Sequence, residues 1–125
     1  MIAVKTFAYT LELKDDPELI AKYRAYHEKV WAEVVNGLRK SGVLRSKIYL
    51  LGNRLFLIIE ADDSYDAAMR QSYASEPKEM EWDELMRAFQ KPVKEAKHGE
   101  WWAEMELVFD LEQQLARLDA DSNPA

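Results

Sequence analysis

The chain has 125 residues, of which 48% are hydrophobic and 32% are charged, and this is the composition of a single globular domain. Its formal net charge is −6, and no cluster of basic residues offsets it, so we expect no nucleic-acid partner. The absence of cysteine excludes disulfides, thiolate metal sites and a cysteine nucleophile.

The N-terminal residues lack the basic and apolar regions of a signal peptide, and no apolar run approaches the ~20 residues that span a bilayer. We therefore expect a cytoplasmic protein that has no membrane partner.

Hydrophobic periodicity and turn residues divide the chain into alternating strands and helices. The predicted elements are a strand over 2–13, a helix over 16–41, strands over 46–51 and 54–61, helices over 64–73 and 76–90, a loop over 91–103, a strand over 104–111 and a loose tail over 112–125. Asp16 and Pro17 are typical of a helix start, and Gly52-Asn53 is typical of a tight hairpin turn. The domain is expected to occupy residues 1–111.

The order strand, helix, hairpin, helices and strand is the βαββαβ order of an α+β, ferredoxin-like fold. In that fold the helices cover only one face of the antiparallel sheet. The predicted strands carry apolar side chains on both faces, so the second face would form an exposed apolar patch unless it is covered. A homodimer that meets sheet to sheet is the simplest cover.

The most informative group of residues is Tyr23, His27 and Trp31, whose spacing would align three side chains along one helix face. Histidine exchanges protons near neutral pH, and aromatic rings can pack against the C–H patches of a sugar. This group predicts either a sugar site that performs acid–base chemistry, or a core stripe containing one satisfied histidine. The spacing alone does not separate the two interpretations.

Two further sets of residues have both a functional and a structural interpretation. Glu81 could bind a hydroxyl while Trp82 stacks on a ring, or the pair could be a solvated carboxylate beside a core tryptophan. Glu60 shares a strand face with apolar residues, so it could have a raised pKa and a role in proton transfer, or it could mark the end of the strand.

Several kinds of chemistry lack the residues that they need. The sequence has no glycine-rich phosphate loop, no H-E-x-x-H motif and no nucleophile elbow. It has only two histidines and no tight carboxylate cluster, so we expect no metal site and no cofactor.

The same residues resemble those of a known family, the L-rhamnose mutarotases, and more specifically its L-fucose branch. The resemblance covers residues 4–111. It is carried by Leu13-Lys14-Asp15-Asp16-Pro17, Tyr23-x3-His27-x3-Trp31-Ala32-Glu33, Ile48-Tyr49, Gly52-Asn53-Arg54-Leu55-Phe56, Pro77-Lys78, Glu81-Trp82, and Met105-Glu106 with Phe109. The family implies a dimeric α+β barrel, no metal and no organic cofactor. It also implies an aldose 1-epimerase that acts on a monosaccharide, a 6-deoxy sugar.

The resemblance also implies roles for individual residues. His27 corresponds to the family's proton donor, and Tyr23 corresponds to a sugar-binding tyrosine. Ser46 stands where the rhamnose branch has a second binding tyrosine. The Glu81-Trp82 pair stands where that branch has two tryptophans, and a Glu-Trp pair there is similar to the fucose branch.

We therefore predict an enzyme that interconverts the anomers of a 6-deoxy sugar, most simply L-fucose. The expected binding residues are Tyr23, Trp31, Ser46, Glu81 and Trp82. His27 is expected to protonate the ring oxygen.

The base is expected to be Glu81, Glu60 or a water held by Tyr23, in that order. Ala32 departs from the family, which usually has a proline at this position.

Three other functions remain open from the sequence. Dimeric α+β barrels also include cofactor-free monooxygenases, and a fold alone does not decide a function. The chain could also be a non-catalytic module that binds sugar, or a structural dimerisation domain that binds none.

Overall fold

The computed structural model describes residues 3–66 and 76–122. In chain order the elements are β1 Lys5–Leu13, α1 Pro17–Tyr26, α2 Ala32–Lys40, β2 Val43–Leu51, β3 Arg54–Ala61, α3 Pro77–Arg87, β4 Gln90–Lys91, β5 Ala103–Glu104 and α4 Leu111–Ser122. The predicted fold class, an α+β ferredoxin-like fold of the dimeric barrel type, is confirmed. Most of the helix predicted over 64–73 falls outside the described residues.

The sheet is antiparallel, and its strands lie in the order β2-β3-β1. The two short strands β4 and β5 both pair with β1, at different points along its second edge. The predicted hairpin is confirmed, because Leu51 pairs with Arg54 across the Gly52-Asn53 turn. Gly52 has a φ of 61°, a conformation that costs glycine little.

One face of the sheet forms the core with the helices. Leu11, Leu13 and Leu55 are fully buried there, as expected for alternate positions along paired strands. Tyr23, Val34, Trp82, Met86 and Phe89 pack against them from the helices and from the turn after α3. The other face carries Tyr49 and Leu51, which are 57% and 77% exposed.

The predicted helix over 16–41 is wrong as a single element, because the structure has two helices with a break between them. Helix α1 ends at Tyr26 and is capped by His27, and α2 begins at Ala32. The His27 side chain and its backbone N–H both contact the carbonyl oxygen of Tyr23, so the side chain competes with the helical hydrogen-bond pattern at this point. Trp31 then adopts an extended ψ of 139°, which starts α2 in a new direction.

The predicted strand over 104–111 is also wrong for most of its length. Only Ala103–Glu104 pairs with β1, and residues 105–110 lie outside regular secondary structure. Leu111–Ser122 is a helix where a loose tail was expected. The alternating side chains of this segment find no apolar surface on their own chain, since Leu107 and Phe109 are 67% and 64% exposed.

Within the described residues, none of the helices combines the length and the apolar character needed to cross a bilayer.

Candidate active site

A pocket of about 200 Å³ opens between the helices and the core face of the sheet. Every major element except α4 contributes to it. Its lining residues are Tyr9, Tyr23, His27, Val30, Val34, Leu38, Ser46, Ile48, Leu57, Ile59, Tyr65, Trp82, Asp83, Met86, Arg87, Gln90, Trp101 and Trp102. The volume is below the ~300–1,000 Å³ that drug-sized ligands need, so it suits one small ring.

His27 is half-buried in this wall at the end of α1, and one of its nitrogens is already engaged. Its Nδ1 lies 2.8 Å from the carbonyl oxygen of Tyr23. A carbonyl oxygen can only accept a hydrogen bond, so Nδ1 carries a hydrogen and Nε2 remains for a ligand. Burial lowers the pKa of His27 below its usual 6.5, although the hydrogen bond to Tyr23 partly opposes this. At neutral pH the ring is therefore neutral, and Nε2 is a proton acceptor.

Tyr23 is held by a hydrogen-bond chain that begins outside its own helix. The indole Nε1–H of Trp101 donates to Oε1 of Gln90 at 2.8 Å. The amide Nε2–H of Gln90 then donates to the hydroxyl oxygen of Tyr23 at 3.1 Å. Burial raises the pKa of Tyr23 to about 12, while the hydrogen bond from Gln90 acts in the opposite direction. The phenol is therefore protonated at neutral pH.

Aromatic rings form one side of the pocket. The ring centroid of Trp82 lies 5.4 Å from that of His27 at an interplanar angle of 69°, so the two rings meet edge to face. Elsewhere in the lining, the Arg87 guanidinium lies 4.5 Å from the centre of the Trp101 ring, a cation–π arrangement. A ligand between these residues would meet both flat apolar surfaces and hydrogen-bond donors.

The inner end of the pocket is apolar. Side chains from α2 and β3 line it, among them Val34, Leu38 and Ile59. Tyr9 lies at this end, and its buried hydroxyl has no partner in hydrogen-bonding geometry among the described residues. Burial and the neighbouring Tyr65 raise the pKa of Tyr9, so its hydroxyl also remains neutral.

The structure brings four of the six predicted site residues into the pocket wall: Tyr23, His27, Ser46 and Trp82. Trp31 is not in the lining, but its ring packs against that of Trp82, with the two ring centroids 5.2 Å apart.

The two carboxylates considered as the base lie elsewhere. Glu81 is exposed on α3 and forms an ion pair with Lys78 at 3.0 Å. Glu60 forms an ion pair with Arg45 at 2.9 Å. It alternates along β3 with the pocket residues Leu57 and Ile59, so it points to the other face of the sheet.

Sequence reasoning missed three polar residues of the pocket: Asp83, Arg87 and Gln90. A signal existed for two of them, because Asp83 and Arg87 are four residues apart and so share a helix face. Gln90 follows the end of α3 and gave no pattern, since its role depends on Trp101, which lies across a long loop.

Within residues 3–66 and 76–122, no three His, Asp or Glu side chains lie close enough together to hold a metal ion. The pocket does combine a neutral imidazole, a protonated phenol and stacking rings. Such a set can take a proton from one oxygen of a small polar ring and donate a hydrogen bond to another.

Comparisons with known proteins identify relatives of the chain. A family model described as L-rhamnose mutarotase matches residues 6–111. An L-fucose mutarotase of Xanthomonas campestris pv. campestris is 32% identical over 118 residues, which are 92% of this chain and 94% of that protein. A UPF0734 protein of Dictyostelium discoideum is 43% identical over 113 residues, which are 86% of this chain and 90% of that protein.

Two solved structures share the fold. An L-rhamnose mutarotase from Formosa agariphila superposes with a TM-score of 0.61 at 17% identity, covering 86% of this chain and 98% of that one. Tetracenomycin F2 cyclase, a type-II polyketide cyclase from Streptomyces glaucescens, has a TM-score of 0.52 at 20% identity, covering 85% of this chain and 95% of that one. At these identities the likeness concerns the fold alone.

Proposed function

The chain belongs to the L-rhamnose mutarotase family and is a sugar mutarotase, an isomerase, and we propose that it interconverts the α and β anomers of L-fucose with His27 as the proton-transfer residue. The observation that carries this proposal is the half-buried, neutral His27 in the pocket wall, with Nδ1 engaged by its own helix and Nε2 available.

Mutarotation through ring opening moves two protons. The anomeric hydroxyl loses its proton, the bond between C1 and the ring oxygen breaks, and the ring oxygen gains a proton as C1 becomes an aldehyde. Rotation about C1–C2 and closure on the other face then reverse both transfers. One acid and one base suffice, and such catalysis contributes about 10²–10⁴-fold.

The sequence predicted that His27 protonates the ring oxygen, but its lowered pKa favours a neutral resting ring, so the proposal makes His27 the proton acceptor of the opening step instead. The neutral Nε2 accepts the proton of the anomeric hydroxyl as the ring opens. The imidazolium formed then returns this proton to O1 when the ring closes, so His27 is the proton donor in that half of the reaction. The protonated Tyr23 hydroxyl donates to the ring oxygen during opening and recovers its proton during closure.

The remaining lining supports the choice of a 6-deoxy sugar. Trp82 and Trp102 offer flat apolar surfaces for the C–H face of the ring. The side chains of Val34 and Leu38 in the lining suit a methyl group better than a hydroxymethyl group, whose hydroxyl would lose its hydrogen bonds to water against them. We assign the C6 methyl group to contact with these two side chains rather than with the unpartnered Tyr9 hydroxyl at the same end.

L-Fucose is preferred over L-rhamnose in this proposal because the relative from Xanthomonas campestris is named L-fucose mutarotase. The test is saturation-transfer NMR on the anomers of each sugar, with and without the protein. Faster exchange of L-fucose than of L-rhamnose supports the choice. A larger acceleration of L-rhamnose overturns the choice of sugar but not the reaction.

We further propose that the protein acts as a homodimer in the cytoplasm. The segment 105–122, which we call the C-terminal arm, exposes an apolar series along its length: Leu107, Val108, Phe109, Leu111, Leu115 and Leu118. Such a large apolar surface is unusual on a monomer.

A second copy of the chain offers a matching surface for the arm. Strand β2 lies at the edge of the sheet, and its exposed side chains include Tyr49 and Leu51 together with Lys47, while its Arg45 is paired with Glu60. The arm is acidic, and its carboxylates are those of Glu106, Asp110, Glu112, Asp119 and Asp121. Apolar and charged groups therefore complement each other between two copies, as they do at other protein interfaces.

A further inference from the structure

We propose that Gln90 is a positioning residue. The indole N–H of Trp101 orients the Gln90 amide, and this amide in turn keeps the Tyr23 hydroxyl oriented as a hydrogen-bond donor to the sugar. The proposal rests on the proposed function, in which Tyr23 donates to the ring oxygen. It assigns a task to a residue that touches no reacting atom.

The orientation of the Gln90 amide is determined by the chemistry of its neighbour. The indole N–H of Trp101 can only donate, so the group that faces it at 2.8 Å must be the amide oxygen. The NH₂ end of the amide therefore faces the Tyr23 hydroxyl at 3.1 Å. If the amide were flipped by 180°, its NH₂ group would face the indole N–H of Trp101, and two donors cannot form a hydrogen bond.

The consequence concerns the hydrogen of the Tyr23 hydroxyl. Because the Gln90 NH₂ group can only donate, the phenol oxygen accepts, and its own hydrogen must point away from Gln90. Among the described residues, no hydrogen bond uses the Tyr23 hydroxyl as donor. Tyr23 is one of the residues that line the pocket, and in the proposed mechanism this hydrogen is the one that it donates to the sugar.

Burial makes this orientation persistent. Gln90 is only 6% exposed and Tyr23 only 3%, so water cannot easily replace either partner. A buried amide that loses a hydrogen bond is destabilised, and this penalty resists reorientation. Gln90 also pairs with Leu13 at the end of β1, which holds its backbone against the sheet. The donor orientation of Tyr23 is thus present before the sugar binds.

Two substitutions separate this role from simple packing. Gln90→Glu keeps the shape, but a carboxylate only accepts, so it would take hydrogens from both Trp101 and Tyr23 and turn the phenol hydrogen away from the sugar. Gln90→Met keeps the approximate length of the side chain and removes its hydrogen bonds, so that nothing at position 90 determines where the phenol hydrogen of Tyr23 points. Asn36→Asp, an amide-to-carboxylate change at an exposed site on α2 outside the pocket, is the matched control.

The experiment measures kcat and KM for L-fucose anomer exchange for each Gln90 variant, both in the wild-type background and in Tyr23→Phe. We expect Gln90→Glu to lower kcat about tenfold or more, close to the loss in Tyr23→Phe, and Gln90→Met to lower it less. In the Tyr23→Phe background, Gln90→Glu should cause almost no further loss of kcat, because the hydroxyl that it reorients is gone. Asn36→Asp should match the wild type.

An effect of Gln90→Glu that is equally large in both backgrounds would overturn the proposal, and so would a Gln90→Glu protein with wild-type kcat. If the wild-type protein exchanges no sugar anomers, the proposed function fails, and NMR still decides the orientation. We expect an NOE between the Gln90 amide hydrogens and the Tyr23 ring, and slow solvent exchange of the Trp101 indole hydrogen that becomes fast in Gln90→Met. Absence of both signals overturns the proposal whatever the activity.

Discussion

The Nδ1 atom of His27 lies 2.8 Å from the carbonyl oxygen of Tyr23, one helical turn earlier in the chain. This contact lies at the end of helix α1, fixes the tautomer of the imidazole and joins the two residues to which the proposed mechanism assigns proton transfer. The break between α1 and α2 is therefore part of the candidate active site, because His27, which caps α1, lines the pocket.

The pH dependence of the rate tests whether the resting His27 is a base. Because burial lowers its pKa below 6.5, we expect kcat/KM for L-fucose exchange to rise with pH through an apparent pKa below 6.5 and then to stay level. The rate without protein is subtracted at each pH. A rate that falls as pH rises through this region would mean that the resting imidazolium is the active form.

The lowered pKa of His27 also predicts a small pH dependence of the free energy of unfolding. The unfolded state takes up a proton near pH 6.5 and the folded state only at lower pH, so stability falls as the pH is lowered from 6.5 to the folded pKa. His27→Gln should lose this part of the pH dependence in chemical denaturation. An unchanged pH profile in His27→Gln would assign the shift to another group.

Two neighbouring carboxylates on α3 should respond differently to neutralisation. Asp83 lines the pocket, whereas Glu81 is exposed and forms an ion pair with Lys78, an arrangement worth about 0.5 kcal/mol or less. We expect Asp83→Asn to raise KM for L-fucose several-fold, and Glu81→Gln to change kcat/KM less than about twofold. A tenfold loss in Glu81→Gln would show that Glu81 contacts the sugar, as the sequence predicted.

Gly37 should not tolerate a side chain, although it lies in a helix. Alanine normally stabilises a helix by about 1 kcal/mol relative to glycine. At Gly37, however, a Cβ atom would occupy the position of the buried Glu79 carboxylate on α3. We expect Gly37→Ala to lower the free energy of unfolding by about 1–3 kcal/mol in urea denaturation. Ala25→Gly in α1 gives the ordinary cost of a helical glycine, and a Gly37→Ala protein more stable than wild type would contradict the packing.

The C-terminal arm should determine the oligomeric state. Leu115→Glu places a charge on the apolar side of α4, whereas Gln113→Glu places the same residue on the opposite side. Light scattering after gel filtration should show a dimer for the wild type and for Gln113→Glu, and a monomer for Leu115→Glu. A monomeric wild type, or a Leu115→Glu dimer, would contradict the proposed interface.

The fold could be predicted from sequence because its signals are local. The Gly52-Asn53 turn, the alternation along β1 and the apolar run of β3 all depend on residues close in the chain, and the structure confirms the hairpin and both strands. The break after Tyr26 had a signal too. Ala32, the first residue of α2, stands where the family usually has proline, which favours the first position of a helix.

The rest depended on contacts that no local pattern contains. Residues 105–110 alternate as a strand does, but the ladder with β1 ends at Glu104, and only the backbone N–H of Met105, which donates to the carbonyl oxygen of Ala8 at 2.7 Å, continues it. The site shows the same limit. Tyr23 and His27 were found because they are four residues apart, while the orientation of Gln90 depends on Trp101, which lies across a loop.

The central claim is that His27 transfers the proton in the exchange of L-fucose anomers, and saturation-transfer NMR on wild type, His27→Gln and His98→Gln tests it most directly. His98 lies in an exposed loop outside the pocket, so it controls for the loss of a histidine. We expect the wild type and His98→Gln to accelerate exchange equally, and His27→Gln to lose about 10²-fold or more of the acceleration. A folded His27→Gln protein that exchanges the anomers at the wild-type rate would contradict the account.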